Sequence, residues 1–340
     1  MTDMSENEVN ILARSGRYGN HVLQGCIEET HISWVILTKK YAFKIKKPLK
    51  LSFLDFSTLR KRKTFCHKEL QLNRRFSPIY LNVSPVYWHN NSWTIGKGVG
   101  KVVEYAVVMR RLNLTKRMDK LLQEKKVFPK HILSLARVIA SFHLETSDVK
   151  ISFNRLKARA AFNDIRSILP ISKKYLGSKY TTIIKKSIDW SNTFLSVHAT
   201  RIRSRIDDGF YRDVHGDLHS GNIFLYKNPI LFDCIEFNDS YRRIDIINEI
   251  AFLCMDLEAY RQKSLADIFL KEYQRNTACF RFSEDRQLFN YYKCFKANVR
   301  AKVHALSAAQ CHDEQSLKQH IRALRTYLQL ISKYTNKKKA

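Results

Sequence analysis

The chain has 340 residues, 44% of them hydrophobic and 12% aromatic, which excludes global disorder and leaves room for one large domain or two modest ones. Its opening, Met1-Thr-Asp-Met-Ser-Glu-Asn-Glu8, is polar and acidic, so no signal segment is expected; no apolar run approaches the roughly 18 residues of a membrane span either. The formal net charge is +29, yet residues 207–258 hold eleven acids against four bases, so that stretch is −7 within a strongly basic chain.

In chain order, a polar lead-in carries a short helix over residues 8–13. Thr30-His-Ile-Ser-Trp-Val-Ile-Leu-Thr38 is β-branched and aromatic and predicts a strand. Lys39-Lys40 turns the chain into a second strand, Tyr41–Lys46, which Pro48 closes. Ser57 suits a helix N-cap before a helix over 60–74 that carries Glu69. Three strands follow at 83–89, 92–95 and 102–109, and a boundary is expected at 112/113. This divides the chain into a sheet-rich domain over 1–112, with five strands and one helix, and a helical domain over 113–340. Residues 129–146 place Ile132, Leu135, Ala136, Ile139 and Phe142 on one helical face. Basic helical segments over 154–206 are interrupted near Pro170. Short hairpin strands are expected at 223–226 and 229–232, a helix at 243–260, and three more at 264–280, 284–309 and 313–334. Residues 336–340 read as a disordered tail. The seven cysteines are odd in number and never spaced Cys-x-x-Cys, which points to free thiols in a reducing cytoplasm and away from zinc.

Chemistry concentrates in the acidic stretch. Val214-His-Gly-Asp-Leu-His-Ser-Gly-Asn222 is followed by Leu231-Phe-Asp233. Phosphoryl transfer to a hydroxyl needs a carboxylate near the acceptor proton and oxygen ligands for magnesium on the nucleotide phosphates. A loop H-x-D-x-x-x-x-N with an aspartate on a following hairpin supplies both. Asp217 is then the base, and Asn222 and Asp233 are the metal ligands. A plain Gly-Asp turn is the alternative for Asp217. Tyr41-Ala-Phe-Lys44 has the polarity of the phosphate-binding kinase strand, with Glu69 as the helix partner of Lys44. Lys46 shares the same strand face and competes for the role, and a solvated edge-strand lysine is the alternative. Gly96-Lys-Gly-Val-Gly-Lys101 fails as a phosphate loop, because Ile95 and Val102 stand where glycine and Ser or Thr are needed.

His215-Gly-Asp-Leu-His-Ser-Gly-Asn222, with glycine where protein kinases carry arginine, resembles the loop of the aminoglycoside phosphotransferase and choline kinase superfamily. Tyr241-Arg-Arg-Ile-Asp245-Ile-Ile-Asn248 resembles the helix after the metal aspartate in choline kinases. With Tyr41–Pro48, Phe53–Thr58 and Arg212–His219, the chain is most similar to the kinase half of bacterial bifunctional aminoglycoside-phosphotransferase-like and ATP-binding proteins, over roughly residues 27–305. The resemblance implies an α+β, bilobal protein-kinase-like fold with a small antiparallel-sheet lobe and a mainly helical one. It implies ATP and Mg as cofactors and a small-molecule hydroxyl as acceptor. Thr30 and Ser33 are candidates for the turn over the phosphates, and Arg111 lies in the adenine-binding hinge, Val107–Leu112. His215 would support the loop and Asp245 would anchor it from the following helix; His219 is given no chemical role. Glu236 is a candidate for the metal shell or substrate. The group's separate P-loop domain is expected to be absent, since no Walker A is present. Nucleic acid or an anionic surface, bound through the basic exterior of a non-catalytic kinase scaffold, is the rival partner, and no membrane is expected.

Overall fold

The computed structural model describes residues 3–51, 54–311 and 313–336. The tail expected over 336–340 and the Phe53 end of Phe53–Thr58 fall mostly or wholly outside them. The described chain divides into two compact units: one joins the chain up to Arg117 with Asn222–Tyr241, and the other joins Met118–Gly221 with the chain from Arg242 onward. The expected division at 112/113 left the whole acidic stretch in the second domain. Asn222–Tyr241 instead groups with the sheet unit.

The first unit opens with α1 (Glu6–Ser15), whose N-cap Ser5 and Glu8 exchange hydrogen bonds in a capping box. Short strands β1 (Arg17–Tyr18), β2 (His21–Val22) and β3 (Cys26–Glu29) precede β4 (Ser33–Leu37) and β5 (Tyr41–Lys46). A small hairpin, β6 (Lys50–Leu51) and β7 (Leu54–Asp55), leads to α2 (Leu59–Asn73), capped by Thr58 rather than Ser57. Strands β8 (Tyr80–His89), β9 (Ser92–Ile95) and β10 (Lys101–Arg110) complete an eight-stranded sheet, in the order β2-β1-β9-β8-β10-β5-β4-β3. The five expected strands are all in it. The other three are too short, and in β2 and β3 too exposed, to show an apolar period.

Alternation along β5 gives the sheet two different faces. Phe43 and Ile45 are fully buried with Val9, Leu12, Ile36 and Val108 in the core that includes α1. A phenylalanine so buried contributes about 1.5–3 kcal/mol of transfer free energy. Ala42 points the other way, packing with Leu37, Val107 and Cys66 of α2. Lys44 and Lys46 share that second face by their period.

The second unit is helical. It holds α3 (Met118–Gln123), α4 (Pro129–Glu145), α5 (Arg155–Asn163), α6 (Leu169–Leu176), α7 (Ser178–Val197) and α8 (Ala199–Asp207). The expected break near Pro170 is a 3-10 turn over Asp164–Ile168, and a second break falls at Gly177, whose φ is +85°. Strand β11 (Tyr211–Asp213) enters the acidic stretch. Hairpin strands β12 (Ile223–Phe224) and β13 (Ile230–Leu231) belong to the first unit, and the short α9 (Asp239–Arg242) ends it. Strand β14 (Arg243–Asp245) pairs antiparallel with β11, so the expected helix from Arg243 begins three residues later, as α10 (Ile246–Ala259). Helices α11 (Lys263–Asn276), α12 (Ser283–Gln310) and α13 (Glu314–Thr335) follow. Among the described residues, no helix is long and apolar enough to cross a membrane.

Candidate active site

In the first unit, a chain of charges runs through the polar face of the sheet. Helix α2 buries Arg62, Cys66, Glu69 and Asn73, spaced i, i+4, i+7 and i+11 and therefore on one stripe. Glu69 is fully buried and takes a lysine on each oxygen, Lys44 at 2.8 Å on Oε1 and Lys46 at 2.6 Å on Oε2. Lys44 Nζ also meets Asp233 Oδ1 at 2.5 Å, and Lys46 Nζ closes a second ion pair with Glu236. Strand β5 lies between β4 and β10, which removes the edge-strand reading of these lysines.

Burial would lower the Lys44 ammonium, but the Asp233 and Glu69 carboxylates outweigh it and hold its pKa well above the ordinary value. Burial works against the charge of Glu69 as well, and two lysines overcome it and hold its carboxyl down. Glu236 has one lysine, so burial prevails and its carboxyl is pushed up. With every group ionised, two lysines face three carboxylates, a net of −1. The member open to solvent is Asp233, whose side chain is 43% exposed.

The backbone delivers Asp233 to that position. Its φ is +64°, in the left-handed region that aspartate tolerates better than most residues. Its N–H donates to Tyr80 Oη at 3.0 Å, and the next N–H, of Cys234, donates to Asn73 Oδ1 at 2.8 Å. Asn222 is buried, and its carbonyl accepts from Phe232 N–H at 3.2 Å across the hairpin. These bonds and the two lysines tie Asn222–Tyr241 to the sheet unit.

In the second unit, the turn His215-Gly216-Asp217 is held from α10. Glu249, fully buried, accepts from His215 N–H at 3.0 Å and Gly216 N–H at 3.1 Å. Gly216 has φ +86°, a conformation a side chain there would strain, which accounts for glycine at this point of the loop. His215 Nδ1 accepts the Asp217 N–H at 3.3 Å. His219 Nδ1 accepts the Gly221 N–H at 3.1 Å, so its Nε2 carries the proton and faces Asp217 Oδ2 at 3.4 Å. A Cβ on Gly221 would come within 2.7 Å of the His219 ring, so glycine is needed there for close approach. Burial would raise the Asp217 carboxyl, but His219 above all, then Arg300 and His215, hold it below the usual carboxylate range. Ser220 N–H donates to Asp256 at 2.8 Å and pins the end of the loop.

Lys44, Glu69 and Asp233 thus come together in one unit, while Asp217, His215 and His219 come together in the other. Asp245 does not anchor the catalytic loop as expected. It caps α10 through Ile247 N–H and accepts Arg205 at 2.6 and 2.9 Å, while Glu249, one turn along, holds the loop. Ser33 is fully buried; its N–H and carbonyl are used by Thr30 in a local turn, so its hydroxyl does not face solvent. Arg111 braces the β4–β5 turn, donating to the Thr38 carbonyl at 2.7 Å. Sequence reasoning missed Glu249 and the His219 contact. Glu249 and Asp256 stand in the run Ile246-Ile-Asn-Glu-Ile-Ala-Phe-Leu-Cys-Met-Asp-Leu257, and acids inside an apolar helix are the signal that could have found them.

Among the described residues, no group of three or more His, Cys, Asp or Glu is arranged to hold a metal ion. Magnesium takes one or two protein oxygens and completes its shell with water and phosphate. The Asp233 carboxylate, 43% exposed beside Lys44, is a hard oxygen donor that fits such an ion.

No protein-family model matches the chain. It is 30% identical over 291 residues to uncharacterized proteins of Mycobacterium tuberculosis and Mycobacterium bovis, covering 84% of this chain but 55% of theirs. The chain therefore spans about half the length of the curated relatives it matches. Among solved structures it is similar to a choline/ethanolamine kinase family protein from Mesorhizobium loti, with TM-score 0.51 and 12% identity over 90% of this chain and 92% of that one. A Plasmodium vivax ethanolamine kinase aligns at TM-score 0.49 and 9% identity, over 89% and 81% of the two chains. The Mesorhizobium likeness shows the fold: the chain shares the architecture of that protein.

Proposed function

We propose that the protein belongs to the choline kinase and aminoglycoside phosphotransferase superfamily and transfers the γ-phosphoryl group of ATP to a hydroxyl of a small molecule. The observation that carries this reading is the Glu69–Lys44–Asp233 chain of ion pairs. A buried helix glutamate orients a strand lysine, and that lysine meets a half-exposed aspartate at the position the loop spacing assigns to the metal.

Lys44 would position the phosphates, and Asn222 and Asp233 would hold magnesium, which when bound neutralises charge on the transferring phosphates. Asp217 accepts or orients the acceptor hydroxyl proton. The new O–P bond forms from that oxygen as the bond between the β–γ bridging oxygen and the γ-phosphorus breaks, and ADP leaves with the electron pair. His219 keeps the Asp217 carboxylate ionised and aimed.

Nucleotide titration with and without magnesium, in the wild type and in Asp233→Ala, tests this. The wild type is expected to gain stability with ATP as RT ln(1 + [L]/Kd), and to gain more with magnesium. Asp233→Ala should lose the magnesium-dependent part. An equal magnesium effect in both proteins would remove Asp233 from the metal site.

A further inference from the structure

Seven lysines and arginines are buried among the described residues. Lys44, Lys46, Arg62, Arg205, Arg242 and Lys293 each close an ion pair with a carboxylate. Lys296, on α12, is the exception. It is 6% exposed, its Nζ donates to the Gly216 carbonyl at 3.4 Å, and the Phe252 ring centroid lies 4.8 Å away. A bond of that length is at the outer limit, and a buried cation is costly unless fully paired. Glu249 acts on Lys296 at longer range, but its carboxylate is engaged by two backbone N–H groups.

One turn further along α12, Arg300 is partly buried, with the Tyr327 ring centroid 5.8 Å away and Tyr327 and the Asp256 carboxylate as its strongest electrostatic neighbours. Its Nε is buried with no partner among the described residues. Its Nη2 donates to His304 Nε2 at 3.2 Å, which fixes the proton of His304 on Nδ1, and His304 passes it as a donor to His320 Nδ1 at 3.0 Å. His304 is held neutral by burial and by Arg300, so this chain orients the guanidinium without competing for an anion. The Gly216 contact sets Lys296 next to Asp217; burial lowers the Lys296 ammonium while Glu249 and then Asp217 hold it up, and Asp217 acts more weakly on Arg300 than Tyr327 and Asp256 do.

We propose that Lys296 and Arg300 form an anion subsite beside Asp217, which selects an acceptor bearing a carboxylate or phosphate near its reacting hydroxyl. The proposal rests on Asp217 being the base. It assigns a hydroxy acid or a phosphorylated alcohol as the acceptor class and disfavours ammonium-bearing alcohols, whose charge would face two cations.

Two measurements test it. Inorganic phosphate is titrated by thermal shift, with ADP and magnesium saturating, against the wild type, Lys296→Met and Arg300→Gln. Phosphate should protect the wild type and bind at least about tenfold more weakly to each variant, the loss of one charge-assisted hydrogen bond. Equal protection of all three overturns the subsite. Transfer from labelled ATP is then compared for hydroxy acids against their methyl esters, sugar phosphates against free sugars, and amino alcohols. Acids and phosphates should exceed their neutral partners by about tenfold or more. Equal turnover of acid and ester, with phosphate protection lost in the variants, would make the transferred phosphoryl group the bound anion and overturn the acceptor class. If ADP with magnesium fails to shift the wild type at all, the phosphotransferase reading fails instead, whatever phosphate does.

Discussion

Asp217 meets two histidines that do different work: His215 holds its backbone N–H, and His219 turns an N–H toward its carboxylate. Asp217→Asn keeps the size of the side chain and removes its basicity. Transfer should fall by ~10²–10⁴-fold while nucleotide affinity persists, and wild-type turnover in that variant would exclude Asp217 as the base. His219→Ala removes the strongest influence holding the carboxyl down and leaves burial to act. The acid limb of the pH–rate profile should therefore move to higher pH, and an unmoved limb would remove His219 from the site. Glu249 has the opposite electrostatics: burial, only partly offset by Lys296 and the backbone N–H groups, pushes its carboxyl from 4.5 up to about 7. A carboxyl raised on folding favours the folded state below its unfolded pKa, and that contribution is lost as pH rises through the folded one. Between pH 4.5 and about 7 the wild type should lose on the order of 3 kcal/mol relative to Glu249→Gln, read from urea unfolding at several pH values. Parallel pH profiles would show that Glu249 titrates normally.

Elements with a long period were legible in the chain, and elements defined by distant partners were not. Helix α4 carries its apolar stripe in plain view, and it runs within a residue of its expected end. The start of α10 was misplaced because Arg243-Ile-Asp245 has no pattern of its own; it is a strand only because β11 lies beside it. The same rule divides the site. Local spacing proposes Asp217, Asn222 and Asp233, and a short strand motif proposes Lys44. Glu249 reaches the loop from 33 or 34 residues away, and Glu236 finds Lys46 across 190. Helix pairing also has a titratable centre away from the site. His143 of α4 is buried with Nδ1 at 2.7 Å from Tyr273 Oη of α11, and burial first, then Arg212, depresses its pKa to about 3. The unfolded chain takes up that proton near pH 6.5, so the contribution is complete above 6.5 and is lost as pH falls toward 3. It amounts to no more than about 5 kcal/mol. His143→Gln should lower stability at neutral pH yet flatten its decline between pH 6.5 and 4. An equally steep decline in the variant would place the acid sensitivity elsewhere.

At the scale of the whole chain, the dominant quantity is the charge of +29, set against −7 in residues 207–258. Such a field attracts ATP, anionic metabolites, nucleic acid and anionic surfaces alike, so charge alone does not choose a partner. Three features favour a solvating role over a dedicated nucleic-acid face. The bases are distributed over residues 36–206 and the C-terminal helices, no known reading module is present in the sequence, and many bases are engaged within the chain. Duplex DNA should therefore bind weakly near physiological salt, its affinity should fall steeply as salt rises, and magnesium-ATP should leave it unchanged. A protein that neutralises six to ten phosphates loses about 10³–10⁵ in affinity between roughly 50 and 200 mM salt. Fluorescence anisotropy with labelled duplex and single strands, taken across that salt range with and without magnesium-ATP, decides the matter. Submicromolar binding that survives the higher salt, or that responds to ATP, would make nucleic acid the partner and displace the small-molecule acceptor.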